Sequence, residues 1–394
     1  MISTTTKKVT LVTGASAQSH DKPKALIVIS SGKVLPLSEP SGHPGISTGF
    51  FLVEMAKVLQ EFGNEYDFVF ATPDGQLPQL DINGMTLSFH AGAGIGAATA
   101  QTALEQAIRF DVDAFRHRHP RLLARRQTEL ETAYKLLGKI PVSEPLPNTD
   151  KEARLFREDL VKALEALPMH KFYSVRELVE KNRNPQDPLK LRDFAFVHMP
   201  GGHAPMVDFV DNPYMGELLN TLHEEGVLIS LICHAPVTMV SAKYRVSANG
   251  EISASSDHNF KGARLTTVPK HGELIALTMA YPKVPGQKTR LTYYVDEALK
   301  DAGYQVESTI NPSVVQVVFD EKANLLTGNG PQAIDEQAAK LREILDGARQ
   351  QATHRDTRAE SRSDCCEDRL RIETSIYECI RVGYPCARCQ SGGA

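Results

Sequence analysis

Apolar positions in this chain fall into short continuous runs separated by stretches of helical spacing. Lys24-Ala-Leu-Ile-Val-Ile-Ser30, Tyr66–Thr72, Asp193-Phe-Ala-Phe-Val-His-Met199 and Val227-Leu-Ile-Ser-Leu-Ile232 are runs of the length of a buried strand. Over 47–63 the spacing predicts a helix, with Ser47 or Thr48 to cap it and Gly63 to end it. Strand, helix and strand in succession make a βαβ unit, so the sheet is expected to be mostly parallel. From about 95 to 190 the rhythm breaks into charged, modestly amphipathic helical stretches near 97–137 and 150–182, read as an insertion over the sheet edge. Further on, the pattern predicts helices at 213–225, 294–302 and 331–349 and strands near 264–268 and 314–319. Leu325-Leu-Thr-Gly-Asn-Gly-Pro331 reads as a turn into the last helix. The fold class is therefore α/β with a mostly parallel central sheet. A polar lead-in (1–22), one α/β domain (23–349) and a tail (350–394) make up the chain.

The tail changes the picture only by its composition. It is polar and aperiodic, as disordered segments are, and it carries Cys365, Cys366, Cys379, Cys386 and Cys389. Cys386 and Cys389 have zinc-knuckle spacing, but no second pair stands at a matching distance, so neither metal nor cofactor is expected. In 394 residues, 41% are hydrophobic and 23% charged, with a net charge of −4 and both signs interspersed. No basic stripe points to nucleic acid, and no apolar run approaches the roughly 20 residues of a membrane span. The N-terminus has no signal-peptide core. One cysteine in the first 364 residues fits a reducing compartment. A soluble, cytoplasmic protein is the expectation.

That cysteine is Cys233, in Val227-Leu-Ile-Ser-Leu-Ile-Cys-His-Ala-Pro236. A strand ends there and Pro236 suits the first turn of a helix. The cysteine thus falls on a strand-to-helix elbow, where N–H groups of the next helix would stabilise a thiolate and an oxyanion. Its neighbour His234 is a candidate proton acceptor. Glu54 sits in the apolar stretch Phe50-Phe-Leu-Val-Glu-Met-Ala56. Facing the core, its carboxyl would be raised by desolvation and fit for proton shuttling. In Met199-Pro-Gly-Gly-His-Ala204, Gly201 and Gly202 permit close approach of the backbone to a substrate, and His203 comes next. Gly202 and the amide of His234 are candidates for the oxyanion site. Glu273 is the candidate to orient His234, with Asp257 and His258 as rivals that spacing does not separate.

Five segments occur together: Thr48-Gly-Phe-Phe-Leu-Val-Glu54, Pro200-Gly-Gly-His203, Ile232-Cys-His-Ala-Pro236, Lys261-Gly-Ala-Arg-Leu-Thr-Thr-Val-Pro-Lys-His-Gly-Glu273 and Leu326-Thr-Gly-Asn-Gly-Pro331. In these the chain resembles the class I glutamine amidotransferase-like superfamily, and within it the cofactor-free glyoxalase III or D-lactate dehydratase branch, some of whose members are heat-shock chaperones. The resemblance implies a flavodoxin-like sandwich, Cys233 as nucleophile, Glu54 as acid and base, His234 beside it and Glu273 as third member. It further implies a metal-free, glutathione-independent conversion of methylglyoxal-type 2-oxoaldehydes to 2-hydroxy acids such as D-lactate, through a Cys hemithioacetal. A homodimer is implied as well. A cysteine-dependent amidase or peptidase, and a stress chaperone or redox sensor, are the alternatives. The long insertion, Ala235 where the family often has Gly, and the Cys-containing tail depart from the family pattern.

Overall fold

A computed structural model describes residues 22–351 apart from 108 and 280, so the expected polar lead-in and disordered, Cys-containing tail lie outside the described residues. Seven strands form the central sheet: β1 (Lys24–Val28), β2 (Asp67–Thr72), β3 (Tyr173–Ser174), β4 (Phe194–Met199), β5 (Leu228–Ile232), β6 (Val317–Asp320) and β7 (Leu325–Gly328). Their spatial order is β6-β7-β5-β4-β1-β2-β3. Every neighbouring pair is parallel except β6 with β7, which is antiparallel. The α/β arrangement with a mostly parallel sheet read from the hydrophobic runs, and the flavodoxin-like sandwich implied by the resemblance, are observed. Strand β5 is buried along its whole length, as a parallel strand with helices on both faces must be.

The helix expected over 47–63 spans Leu52–Phe62. Neither Ser47 nor Thr48 caps it: Ser47 lies in a short strand, and the Thr48 hydroxyl donates to Asp81 Oδ2 (3.3 Å). One further expectation is corrected. Leu325–Gly328 is a sheet strand rather than a turn, because its side chains pack inward between β5 and β6. Arg264–Thr266 is a strand but pairs with Gln305–Glu307, away from the central sheet. Lys270–Met279 is a helix that the pattern did not disclose.

The segment over 95–190 holds helices Ile95–Ala107, Val112–Arg118, Pro120–Leu137, Lys151–Glu165 and Val175–Arg183. Strand β3, from this segment, extends the sheet beside β2. Buried ionic contacts hold its helices together. Arg126 makes a bidentate pair with Glu152 (2.7 and 2.9 Å) and also donates to Met85 O (2.9 Å). No helix of the described residues is long and apolar enough to cross a membrane.

Candidate active site

The chain leaves β1 for β2 on one side and reaches β4 on the other, so the sheet changes direction between β1 and β4. Crevices at the carboxyl ends of strands near such a switch are the binding places of open α/β sheets. Here β4 runs out into Pro200-Gly201-Gly202-His203, and β5 into Cys233. Helix Leu52–Phe62 brings Glu54 to the same end from the other layer.

Cys233 has φ +63°, the left-handed region that a side chain seldom adopts. The sharp elbow expected from sequence is therefore present. The helix after the elbow differs from expectation: Ala235–Lys243 is 3-10 helix rather than α-helix. The thiol is buried. Burial and the neighbouring Glu54 charge push it well above its ordinary range, against a lowering by the Gly202 N–H. Desolvation of the sulfur exceeds what one or two backbone N–H groups return.

Glu54 is fully buried. Burial raises its carboxyl to about 7, opposed by hydrogen bonds with the Cys233 thiol and the Gly201 N–H. Gly201 N–H donates to Glu54 Oε2 at 2.8 Å, and Oε1 has no partner. Gly201 admits no side chain: a methyl group there would lie 2.6 Å from Cys233 Cβ, 2.8 Å from Ile232 O and 2.9 Å from Glu54 Oε2. Gly202 takes φ +81°, and its N–H lies by the sulfur. Of the two glycines, Gly201 donates its N–H to Glu54, and that of Gly202 lies by both Glu54 and the sulfur.

His234 Nδ1 lies 3.2 Å from Cys233 Sγ, and His234 Nε2 lies 3.1 Å from Glu273 Oε1. A carboxylate only accepts, so Nε2–H donates to Glu273 and the Nδ1 lone pair faces the thiol. The structure brings Glu273 to His234 and leaves Asp257 exposed beside Lys261. His258 is not at this site either. It lies by Tyr304, with ring centroids 6.1 Å apart.

Glu273 also accepts from His203 Nε2 through its second oxygen (3.0 Å). Burial pushes Glu273 up, yet the two imidazoles outweigh it and hold the carboxyl well below its usual range. Burial lowers His203, but the Glu273 charge reverses this and leaves it raised. His234 is lowered, by burial and by His203. Two rings tilted by 39° (centroids 4.2 Å apart) therefore share one carboxylate. Among the described residues, His203, His234 and Glu273 offer ligand atoms within 4.8 Å of one another, where a metal ion would displace both N–H···O bonds to Glu273.

A buried polar chain beneath the site was missed by sequence reasoning. His198, in the middle of β4, donates from Nε2 to Glu54 O (2.9 Å) and accepts at Nδ1 from Ser230 (3.0 Å). Gln337 Nε2 donates to Ser230 Oγ (2.9 Å) and Leu231 O (3.0 Å). Burial lowers His198 to about 4, so it is the neutral ring this pattern requires. Its signal in the sequence was a lone histidine inside the apolar run Phe194–Met199. Tyr281 was missed too: its hydroxyl donates to Asp81 Oδ2 (2.8 Å) and its ring stands edge-on to His203.

A cavity of ≈ 40 Å³ opens on Cys233 and is lined in part by Phe51, His203, His234, Val268 and Tyr281. Its size suits a small molecule, since one water needs roughly 10–15 Å³ of such space.

No family model matches the chain. Among curated proteins, a glutathione-independent glyoxalase (hsp3102) of Schizosaccharomyces pombe is 26% identical over 142 residues, 36% of this chain and 54% of that protein. Over those residues the chain resembles a glutathione-independent glyoxalase. The match spans about half the length of that relative. Solved structures with a similar course include glyoxalase III from Candida albicans (TM-score 0.43, 13% identity, 82% of this chain and 96% of that one). The Rapid Encystment Protein of Francisella tularensis (0.44, 15%, 82% and 99%) and DJ-1beta of Drosophila melanogaster (0.34, 14%, 82% and 90%) are two more. At these scores and identities none of the three bears on function.

Proposed function

We propose that this chain is a glutathione-independent glyoxalase that adds water, by internal oxidation and reduction, to a 2-oxoaldehyde of the methylglyoxal type. The observation that carries the reading is a buried carboxyl near neutrality, Glu54, beside a buried thiol, Cys233, which lines one small cavity. The sulfur adds to the aldehyde carbon and its proton passes through His234 to the former carbonyl oxygen, giving a hemithioacetal. Glu54, ionised, takes the C–H proton of that carbon and returns it to the neighbouring carbon through an enediol, while the hydroxyl proton on the first carbon passes to the oxygen of the second. The thioester so formed is hydrolysed by water, releasing the 2-hydroxy acid and restoring the thiol. A placed proton shuttle contributes roughly 10²–10⁴-fold, and an oxyanion donor such as the Gly202 N–H roughly 10²–10³-fold. D-lactate as product, cytoplasmic location and a homodimer belong to the same reading.

Incubation with methylglyoxal, without glutathione or added metal, followed by chiral analysis of lactate, is the test. Formation of one lactate enantiomer by the wild type and none by Cys233→Ala supports the reading. A folded wild type that leaves methylglyoxal unchanged overturns it for this substrate.

A cysteine hydrolase is a second reading, favoured by the Cys233–His234–Glu273 relay. Such an enzyme would lose amide or peptide turnover in Glu273→Gln and keep it in Glu54→Gln.

A further inference from the structure

Glu54 is held to β4 at two points. Its carboxyl accepts the Gly201 N–H at the exit of that strand (2.8 Å). Its backbone carbonyl accepts from His198 Nε2 inside the strand (2.9 Å). The second contact stands where packing alone asks for an apolar side chain. Residues two apart in a strand share a face. Phe196, on that face, packs its ring against Phe62 and Tyr66 (centroids 5.1 and 5.4 Å). His198 is as deeply buried as Phe196, and so are Ser230, Gln337 and Glu54 itself.

Carbonyl oxygens, which only accept, fix the polarity of this buried chain at both ends. Leu231 O takes one proton of Gln337 Nε2 (3.0 Å), so the same nitrogen donates to Ser230 Oγ (2.9 Å). The Ser230 proton then goes to His198 Nδ1 (3.0 Å), and the ring proton sits on Nε2, towards Glu54 O. His198 and Ser230 are register partners in adjacent strands, so the sheet holds the two side chains abreast. Helix Leu52–Phe62 has use for an anchor at this end. Its N-cap, Phe51, supplies no capping side chain, and Glu54 lies in the first turn, where a helix is least secured. With carbonyl and carboxyl both tied to β4, the residue is set against Cys233, whose thiol it also bonds.

We propose that His198, oriented by Ser230 and Gln337, is a positioning residue that fixes the Glu54 carboxyl against Cys233. This rests on the glyoxalase reading above and deepens it. A reacting group misplaced by about 1 Å costs roughly 10²-fold in rate. Slackening of the Gly201 N–H bond would also remove a contact that favours the ionised carboxyl, so its titration would move up from about 7. Cys233 and His203 are the titratable groups that face the carboxyl, and the His198 ring bonds to neither. Burial holds His198 itself at about 4, so it stays neutral across that range.

The experiment compares the wild type with His198→Leu, His198→Gln and Ser230→Ala. It reads kcat and KM on methylglyoxal, and the infrared titration of the Glu54 carboxyl, whose band is identified by its loss in Glu54→Gln. A glutamine amide nitrogen falls where Nε2 does, so His198→Gln keeps the donor to Glu54 O. His198→Leu is expected to lower kcat about 10²-fold with KM within about twofold, and to raise the carboxyl midpoint. His198→Gln should return both towards the wild type. Ser230→Ala, which keeps the ring and frees its tautomer, should shift both in the same direction by less. A folded His198→Leu with wild-type kcat and midpoint overturns the proposal, as does such a Ser230→Ala where His198→Leu does not fold. A lowered kcat with an unmoved midpoint, or one that His198→Gln does not restore, marks a packing defect and overturns it too. If the wild type leaves methylglyoxal unchanged while His198→Leu still raises the midpoint, the glyoxalase reading fails and the positioning role stands.

Discussion

Glu54 titrates near neutrality because its charge is set in a buried pocket whose hydrogen bonds only partly replace water. As the carbon-acid base it must be ionised, so kcat/KM is expected to rise with pH through about 7. A pH–rate profile flat across that point would count against Glu54 as the base. Glu54→Gln is expected to lower kcat by about 10²–10⁴-fold with the fold intact. The same burial has a stability consequence of fixed sign. The folded state holds the Glu54 proton up to about 7, whereas the unfolded chain releases it near 4.5. Between those values the folded state binds more protons, so this contribution to stability is complete below 4.5 and is lost as pH rises through about 7. Relative to Glu54→Gln, the wild type should lose about 3 kcal/mol across that window. Urea midpoints of the two proteins at several pH values measure it. Equal pH dependence would show Glu54 to be hydrated.

At the level of elements, the site is an intersection of three backbone turns rather than a set of long reaching side chains. The end of β4, the elbow after β5 and the first turn of helix Leu52–Phe62 approach so closely that Gly201 alone leaves room. Gly201→Ala should cost about 1–3 kcal/mol, since two of the three atoms met are Cys233 Cβ and a carbonyl oxygen of the sheet, which yield little. It should also abolish turnover by parting the thiol from Glu54. Thermal unfolding with an activity assay checks both, and an active, wild-type-stable variant would refute the tight packing. These elements were partly legible in sequence. The runs at 24–30, 66–72, 193–199 and 227–232 read directly as strands, because strands buried on both faces leave no other pattern. Leu325–Gly328 did not, because four residues ahead of a second glycine look the same in a turn and in a short buried strand.

On the scale of the whole molecule, helices between residues 95 and 183 bear on the cavity through residues far from the nucleophile in sequence. Asp150 holds its place at the head of helix Lys151–Glu165, whose first turn is clamped by Arg126 and Arg116 on Glu152. Arg126→Ala would leave Glu152 buried with only the partly exposed Arg116. A loss of about 3–5 kcal/mol is expected, read from the urea midpoint. A change below about 1 kcal/mol would mean that water reaches Glu152. Arg125 ties the same region to the last helix through Asp335 (3.0 and 3.1 Å), an exposed pair from which little stability is expected.

Local pattern was enough to decide most of the sheet strands, the elbow at Cys233 and the kinds of residue available for chemistry, since each comes from spacing along the chain. Three things needed the packed chain. Glu273 rather than Asp257 or His258 meets His234, because pairing across 39 residues depends on how helix Lys270–Met279 docks. The upward push on the Cys233 thiol is another, because desolvation and a neighbouring carboxyl are properties of the assembled pocket. Asp150 and Gln332 share a cavity with Cys233, although nothing in their local sequence marks them, because distance along a chain carries no information about distance across a core.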